Sequence, residues 1–102
     1  MSSLQWPDKD PGDVLDYDAD FSDALPAGDL IALVVWTISP TTLSPLVSVL
    51  QTYDNPTKTA TIWLSGGLVG TDYRITCKLT TTSAPVARVL ERDIGLNVRN
   101  LI

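Results

Sequence analysis

Strict alternation of apolar and polar residues is the feature that most constrains the fold of this chain. In residues 15–21 every second residue is apolar, and the residues between them are Asp16, Asp18 and Asp20. Residues 73–80 alternate in the same way. A period of two residues places one set of side chains on each face of a β-strand. Both segments are therefore predicted to be half-buried strands, the first with an acidic outer face.

Further segments have the composition of strands and are separated by residues that favour turns. They are residues 30–38, which are apolar on both faces, and residues 46–53, 59–64 and 86–99. No segment has a convincing helical periodicity, so the sequence predicts an all-β sandwich of six or seven short strands. Residues 1–13 have no periodicity and are predicted to form an extended N-terminal arm. Residues 14–102 then form a single sandwich domain.

Two aromatic residues occupy positions with a structural meaning in β-sandwiches. Trp36 lies near the end of the most apolar segment, where a tryptophan can fill the core. Tyr73 follows a glycine-rich connection, and its position resembles that of a corner tyrosine whose hydroxyl bonds back to an upstream backbone carbonyl. Both positions resemble those of an immunoglobulin-like or fibronectin III-like β-sandwich, which is the arrangement expected here.

The net charge of −5 is unevenly distributed along the chain. Residues 1–30 contain eight acidic residues and one basic residue, Lys9, which gives −7, whereas the remainder has six basic and four acidic residues, which gives +2. Because binding to phosphate requires positive charge, nucleic acid is disfavoured as a partner. Arg74 and Lys78 share the outward face of their strand. That face is either an ordinary solvated surface or a contact for the acidic segment of a neighbouring copy.

The residue types needed for most catalytic sites are missing from the sequence. The chain has no histidine, one cysteine (Cys77) and no serine with a lysine at Ser-x-x-Lys spacing. Histidine-based catalysis, most zinc sites and intrachain disulfides are therefore excluded. The longest apolar run, residues 30–36, is shorter than the about 18 residues of a membrane helix. We predict a protein of a reducing cytoplasm that is not an enzyme and has no cofactor, no small-molecule substrate and no membrane partner.

Alternate aspartates are also found in calcium-binding loops, where they supply the first three ligands. Asp16, Asp18 and Asp20 have that spacing, but Phe21 stands where the loop needs glycine and Ala27 stands where it needs a bidentate glutamate. No metal site is therefore predicted. The three aspartates are instead expected to form a solvated strand face and a candidate interface.

Trp6 is a lone aromatic residue in the polar arm. Tryptophan is a favoured anchor at protein interfaces, but a single exposed tryptophan can also be incidental, and both interpretations stay open. The candidate interface residues are thus Trp6, the three aspartates at 16, 18 and 20, Arg74 and Lys78.

Several blocks of the sequence, taken in order, resemble a family of phage proteins. They are Lys-Asp-Pro-Gly-Asp-Val-Leu-Asp-Tyr-Asp-Ala-Asp-Phe-Ser at 9–22, Ala-Thr-Ile-Trp-Leu-Ser-Gly-Gly at 60–67, Gly-Thr-Asp-Tyr at 70–73 and Ile-Thr-Cys-Lys-Leu-Thr-Thr at 75–81. These blocks are similar to those of the tail-fibre adaptor or neck proteins of tailed bacteriophages. The sequence departs from the family pattern at two places. Phe21 stands where the family has tryptophan, and Ala84-Pro85 stands in a loop that is usually more polar in the family.

The resemblance implies a structural β-sandwich of the virion, near the head-to-tail junction and without enzymatic activity. It implies assembly in the bacterial host cytoplasm as a ring of several copies, with neighbouring neck, connector, tail or fibre proteins as further partners. Together with the charge pattern, it predicts a head-to-tail contact between copies. In that contact the acidic segment of one copy meets the Arg74 and Lys78 face of the next.

Two other classes of function stay open. The first is a host-binding or carbohydrate-binding module of a phage fibre, for which Trp6, Tyr53 and Trp63 are the only aromatic candidates. The second is a cytoplasmic adaptor that acts in assembly and is absent from the particle.

Overall fold

The computed structural model describes residues 4–101, and it confirms the prediction of an all-β sandwich. None of these described residues lies in a helix. Residues 4–101 form seven strands, which are β1 (Leu4–Gln5), β2 (Leu15–Asp20), β3 (Ile31–Ser39), β4 (Leu46–Asp54), β5 (Thr59–Gly66), β6 (Asp72–Thr81) and β7 (Val89–Asn97). Most strands begin and end within two residues of the predicted segments, but the last strand begins at Val89, after the loop that contains Pro85.

The strands form two sheets. One sheet has the order β1-β7-β6-β3, and the other has the order β2-β5-β4. All pairs are antiparallel except β1 and β7, which are parallel. The inner strands are therefore β7, β6 and β5, while β1, β2, β3 and β4 are the edges of their sheets. The assignment of this sandwich to the immunoglobulin-like or fibronectin III-like type stays a prediction.

The core lies between the two sheets and is filled by the alternating side chains of the inner strands. Every second residue of β6, from Tyr73 to Leu79, is buried, and the same is true of Ile94, Leu96 and Val98 around β7. From the other sheet, Ala60, Ile62 and Leu64 of β5 are fully buried. A fully buried aliphatic side chain stabilises the fold by about 1.5–3 kcal/mol. The predicted inward faces of β6 and β7 are confirmed.

Strand β2 is also oriented as the alternation predicts. Tyr17 and Ala19 are buried and Phe21 directly after the strand is 1% exposed, whereas Leu15, which the alternation places on the same side, is exposed. Asp16, Asp18 and Asp20 lie on the exposed outer face. The guanidinium of Arg92 lies 5.2 Å from the centre of the Phe21 ring, a distance at which the ring face attracts a cation.

The hydroxyl of Tyr73 has different partners from the backbone carbonyl expected of a corner tyrosine. It accepts a hydrogen bond of 2.9 Å from the backbone N–H of Leu68 and shares one of 2.7 Å with the hydroxyl of Thr42. These two bonds join the loop after β3 to the loop after β5. Tyr73 thus ties together two loops at one end of the sandwich.

The N-terminal segment is docked along β7. Leu4 and Gln5 pair with β7, and the backbone N–H of Trp6 donates to Gly95 O at 2.9 Å. Lys9 is fully buried although it is charged, and its Nζ donates to the carbonyls of Asp10 at 2.9 Å and Gly66 at 2.8 Å. The division between an arm of residues 1–13 and a sandwich of residues 14–102 stays a prediction. Residues 1–3, the start of the predicted arm, lie outside the described residues.

We expect Lys9→Met to destabilise the protein by about 1–3 kcal/mol, because two partly buried carbonyl groups lose their hydrogen-bond donor. Urea-induced unfolding measures the difference. The matched control is Lys78→Met, which removes the same charge from an exposed position and should change stability by less than about 0.5 kcal/mol. Equal effects of the two substitutions would contradict a stabilising function of the Lys9 amine.

The buried thiol of Cys77 makes stability depend on alkaline pH. Burial raises its pKa from 9.0 to about 12, so above about pH 9 the unfolded chain binds fewer protons than the folded chain, and stability falls as pH rises. We expect Cys77→Ala to make this fall shallower, by up to about 1.4 kcal/mol per pH unit. Urea unfolding of both proteins between about pH 9 and 11 tests this. Parallel stability curves would show that the folded thiol ionises normally.

Candidate interaction surface

The predicted acidic face lies on the outer side of β2, at the edge of its sheet. Asp16 is opposite Trp63 in the register with β5, and Asp18 is opposite Thr61, whose hydroxyl donates to Asp18 Oδ1 at 2.6 Å. The backbone N–H of Ser22 donates to Asp20 Oδ1 at 2.8 Å and lowers the pKa of that carboxyl. All three aspartates are exposed, so the structure brings them together on one surface.

The predicted basic face lies on the outer side of the other sheet, where acidic residues accompany it. Lys78 is opposite Glu91 in the register of β6 with β7. Thr76, between the two basic residues, is opposite Asp93 and donates to its Oδ1 at 2.7 Å. Asp72, two residues before Arg74, lies on the same outer face of β6, so the basic residues of the face are accompanied by three acidic ones. This balance reduces its attraction for a distant acidic segment, and the contact between the two faces stays a prediction.

The other arginines of the basic part of the chain have partners elsewhere. Arg88 forms an ion pair of 3.0 Å with Asp29, and Arg99 forms one of 3.0 Å with Asp72. Asp29 also accepts from the hydroxyl of Ser83 at 2.7 Å, and this bond, followed by those of Arg88, lowers the pKa of its carboxyl. Arg88 holds a loop in place, whereas Arg99 pairs with Asp72 on the outer face of β6, so neither adds unpaired positive charge to the basic face.

Trp6 lies against the chain's own core. Its ring stacks on Tyr17 with 4.7 Å between ring centres and lies 6.2 Å from the ring of Trp36. Its indole N–H donates to the carbonyl of Asp18 at 3.2 Å. The side chain thereby joins β1 and β2, the neighbouring edges of the two sheets. Its function as an anchor for a partner stays a prediction.

The other side of the sandwich ends in two long edge strands, β3 and β4, which we call the open edge. No charged side chain occurs in residues 31–39 of β3 or in residues 46–53 of β4. A groove of about 160 Å³ separates the two strands and is lined by Ala32, Leu33, Val34, Trp36, Gln51, Thr52 and Tyr53. The exposed apolar residues of the open edge are Leu33, Val35, Val47, Val49, Leu50 and Tyr53.

A β-bulge changes which face of β3 is buried, but it does not account for the exposed apolar side chains beyond it. The register with β6 shifts between Ile31 and Leu33, so the buried face changes phase along the strand. Beyond the shift, Trp36 packs against the core while Val35 is 47% exposed. The apolar composition of residues 30–38 indicated this surface in part. The absence of charge from residues 46–53 was the additional signal in the sequence.

The three aromatic residues of the carbohydrate-binding alternative do not form one platform. Trp6 is partly buried against the core, and Trp63 lies on the outer face of β5, opposite Asp16. Tyr53 is opposite the buried Ala60 and lines the groove between the sheets. Within residues 4–101 there is no group of three or more acidic or cysteine side chains that could hold a metal ion. The same residues contain no helix long and apolar enough to cross a membrane.

One comparison with known proteins identifies a relationship. A family described as "Podophage GP4 fiber-tail adaptor protein gp77" matches residues 9–97. This range extends from the buried Lys9 to the last residue of β7. No significant match was found among curated proteins, and none was found among solved structures.

We expect Trp6→Ala to destabilise the protein by about 2–4 kcal/mol, because the ring packs between the edges of both sheets. Urea unfolding measures the loss, and near-ultraviolet circular dichroism reports the lost stacking on Tyr17. The matched control is Trp63→Ala, on the outer face of β5, which should cost about 1 kcal/mol or less. An unchanged stability of the Trp6 variant would mean that this ring is free to contact a partner.

Proposed function

The chain belongs to the podophage GP4 fiber-tail adaptor family, and we propose that its copies form a ring at the head-to-tail region of the virion and connect neighbouring tail and fibre proteins without any catalytic step. The observation that carries this proposal is the family match over residues 9–97. Those residues include six of the seven strands, so the likeness extends over the sandwich as a whole.

The surfaces of the sandwich support a function in joining proteins. An adaptor must contact at least two neighbours at once, and this chain has distinct surfaces on opposite sides. One side has the acidic outer face of β2, and the other side has the uncharged open edge. Ion pairs fix the register of an interface and steer its formation, while burial of apolar surface provides most of the affinity.

The contact between ring neighbours joins Asp16, Asp18 and Asp20 of one copy to Arg74 and Lys78 of the next. Such a contact is head-to-tail, because it uses different surfaces on the two copies and can close into a ring. Glu91 and Asp93 lie beside the basic residues and weaken long-range attraction. They also restrict the registers in which an acidic strand can approach favourably, since a displaced strand brings like charges together.

Particles made without this protein test the proposed position. We expect phage in which its gene is interrupted to assemble tails that lack fibres, and we expect mass spectrometry of wild-type virions to detect the protein. Expression of the intact gene in the host should restore the fibres. Mutant particles with a full set of fibres would contradict the proposal. Absence of the protein from wild-type virions would favour the cytoplasmic assembly adaptor.

Charge reversal tests the contact between ring neighbours. We expect the double variant Arg74→Glu and Lys78→Glu to weaken self-association about tenfold at low salt, since each exposed ion pair contributes about 0.2–1 kcal/mol and the new charges repel. Sedimentation velocity measures this. The complementary variant Glu91→Lys makes the same face more positive and should strengthen association at low salt. If neither variant changes assembly or incorporation into virions, the predicted contact is wrong.

A further inference from the structure

The two sides of the sandwich differ in how their strand edges are protected. On one side, β1 has only two residues and β2 has three outward aspartates. Short strands and charged side chains are the usual means by which a sheet edge avoids pairing with another chain. On the other side, β3 and β4 have nine residues each, and Asp54 at the end of β4 is their only charged residue. Each strand of the open edge has a β-bulge, but the open edge lacks the short strands and the charged side chains that protect the other side.

The open edge also exposes more apolar surface than an ordinary strand edge. Leu33 is 55% exposed on β3, and Val49 and Leu50 are 59% and 54% exposed on β4. These side chains continue into the groove between the two sheets, which Trp36 and Tyr53 also line. A contiguous apolar surface of this kind is typical of a protein interface.

Both ends of the open edge are fixed within the chain. At one end, the short loop of residues 40–45 joins β3 directly to β4. At the other end, the Asn55 side chain binds both backbone groups of Ile31. The N–H of Ile31 donates to Asn55 Oδ1 at 2.7 Å, and Asn55 Nδ2 donates to Ile31 O at 3.3 Å. The two edge strands are thus held in a fixed relative position, which lowers the entropy cost of binding.

We propose that a second copy of this chain covers the open edge, in a dimer with a two-fold axis perpendicular to the sheets. Such an axis places β4 antiparallel to β4 of the other copy and, in the second layer, β3 antiparallel to its own counterpart. Both sheets then continue across the dimer. The free backbone groups of both edges gain hydrogen-bond partners, and the two grooves close against each other.

The double edge and its lack of charge favour a second copy over a single extended strand from another protein. One added strand could pair with β3 or β4, but it would leave the other edge and the groove uncovered. A second copy has two edges with the same length and the same separation. Two-fold symmetry also brings equivalent residues of the two copies together, which suits an uncharged surface such as the open edge. The same symmetry at the β2 side would bring its aspartates together, and they would repel each other.

The area of the open edge is sufficient for a stable dimer of moderate affinity. Nine residues of strand span about 30 Å, and two packed sheets with their side chains are about 20 Å thick. The contact therefore buries about 600 Å² on each copy, or about 1,200 Å² in total, which is the lower limit of stable interfaces. Buried area does not set affinity, but interfaces at this limit are typically weak and reversible, so we look for a dimer that forms in the micromolar range.

This dimer does not depend on the proposed ring contact, because the two contacts use different surfaces. The ring contact uses charged outer faces and weakens with salt, whereas the contact at the open edge is apolar. At about 1 M salt the screening length falls to about 3 Å. Association through the open edge should persist there, so failure of one proposal leaves the other testable.

Sedimentation equilibrium of the full-length chain tests the dimer. We expect a reversible change from the 11.0 kDa monomer to twice that mass over about 1–200 µM, with the same midpoint within about twofold at 1 M NaCl. Val49→Lys on β4 should weaken association at least about tenfold, because each copy then brings a charge into an otherwise uncharged contact. Leu33→Lys on β3 should have the same effect.

Val86→Lys is the matched control, because Val86 is 76% exposed in the loop before β7 and this variant should dimerise normally. Circular dichroism and thermal unfolding establish that each variant is folded. A wild-type chain that stays monomeric at about 200 µM would overturn the proposal, as would a dimer that tolerates both edge lysines. If the wild-type chain is monomeric in solution and the Val49→Lys variant is lost from virions, the open edge binds another virion protein.

Discussion

The packing of β5 against β6 is the interaction on which the rest of the structure depends. Both strands lie inside their sheets, and their inward side chains, such as Ile62 and Ile75, are fully buried. A chain of 102 residues has enough apolar side chains to fill the centre of a two-layer sandwich, but its edge strands have fewer neighbours. The N-terminal segment completes burial on the side of β1 and β2. The side of β3 and β4 is left open.

Alternation along the chain was sufficient to predict most strands and their inward faces, because a period of two is a local property of the backbone. The docking of the N-terminal segment could not be predicted in this way. Lys9 binds the carbonyl of Gly66, and Trp6 binds that of Asp18. Both contacts depend on residues that only the complete fold brings close. A lysine in a polar segment gives no local sign that it is buried.

The candidate surfaces were also predicted only in part. The aspartates of β2 and the pair Arg74 and Lys78 lie on outer faces as the alternation required. The neutralising effect of Glu91 and Asp93 depends on the register between β6 and β7, which the separate segments do not reveal. The open edge depends on strand order. Residues 46–53 lack charge, but their exposure follows from their position at the end of a sheet.

A cryo-electron microscopy reconstruction of the intact virion at the joint between fibre and tail is the most direct measurement. The expected result is density for this two-layer sandwich at the joint, with β3 and β4 of one copy against β3 and β4 of another. A map in which the sandwich is absent from the joint would contradict its function as a fibre-tail adaptor in the virion. A map in which it is present with the open edge facing solvent would contradict the completion of its burial by a second copy.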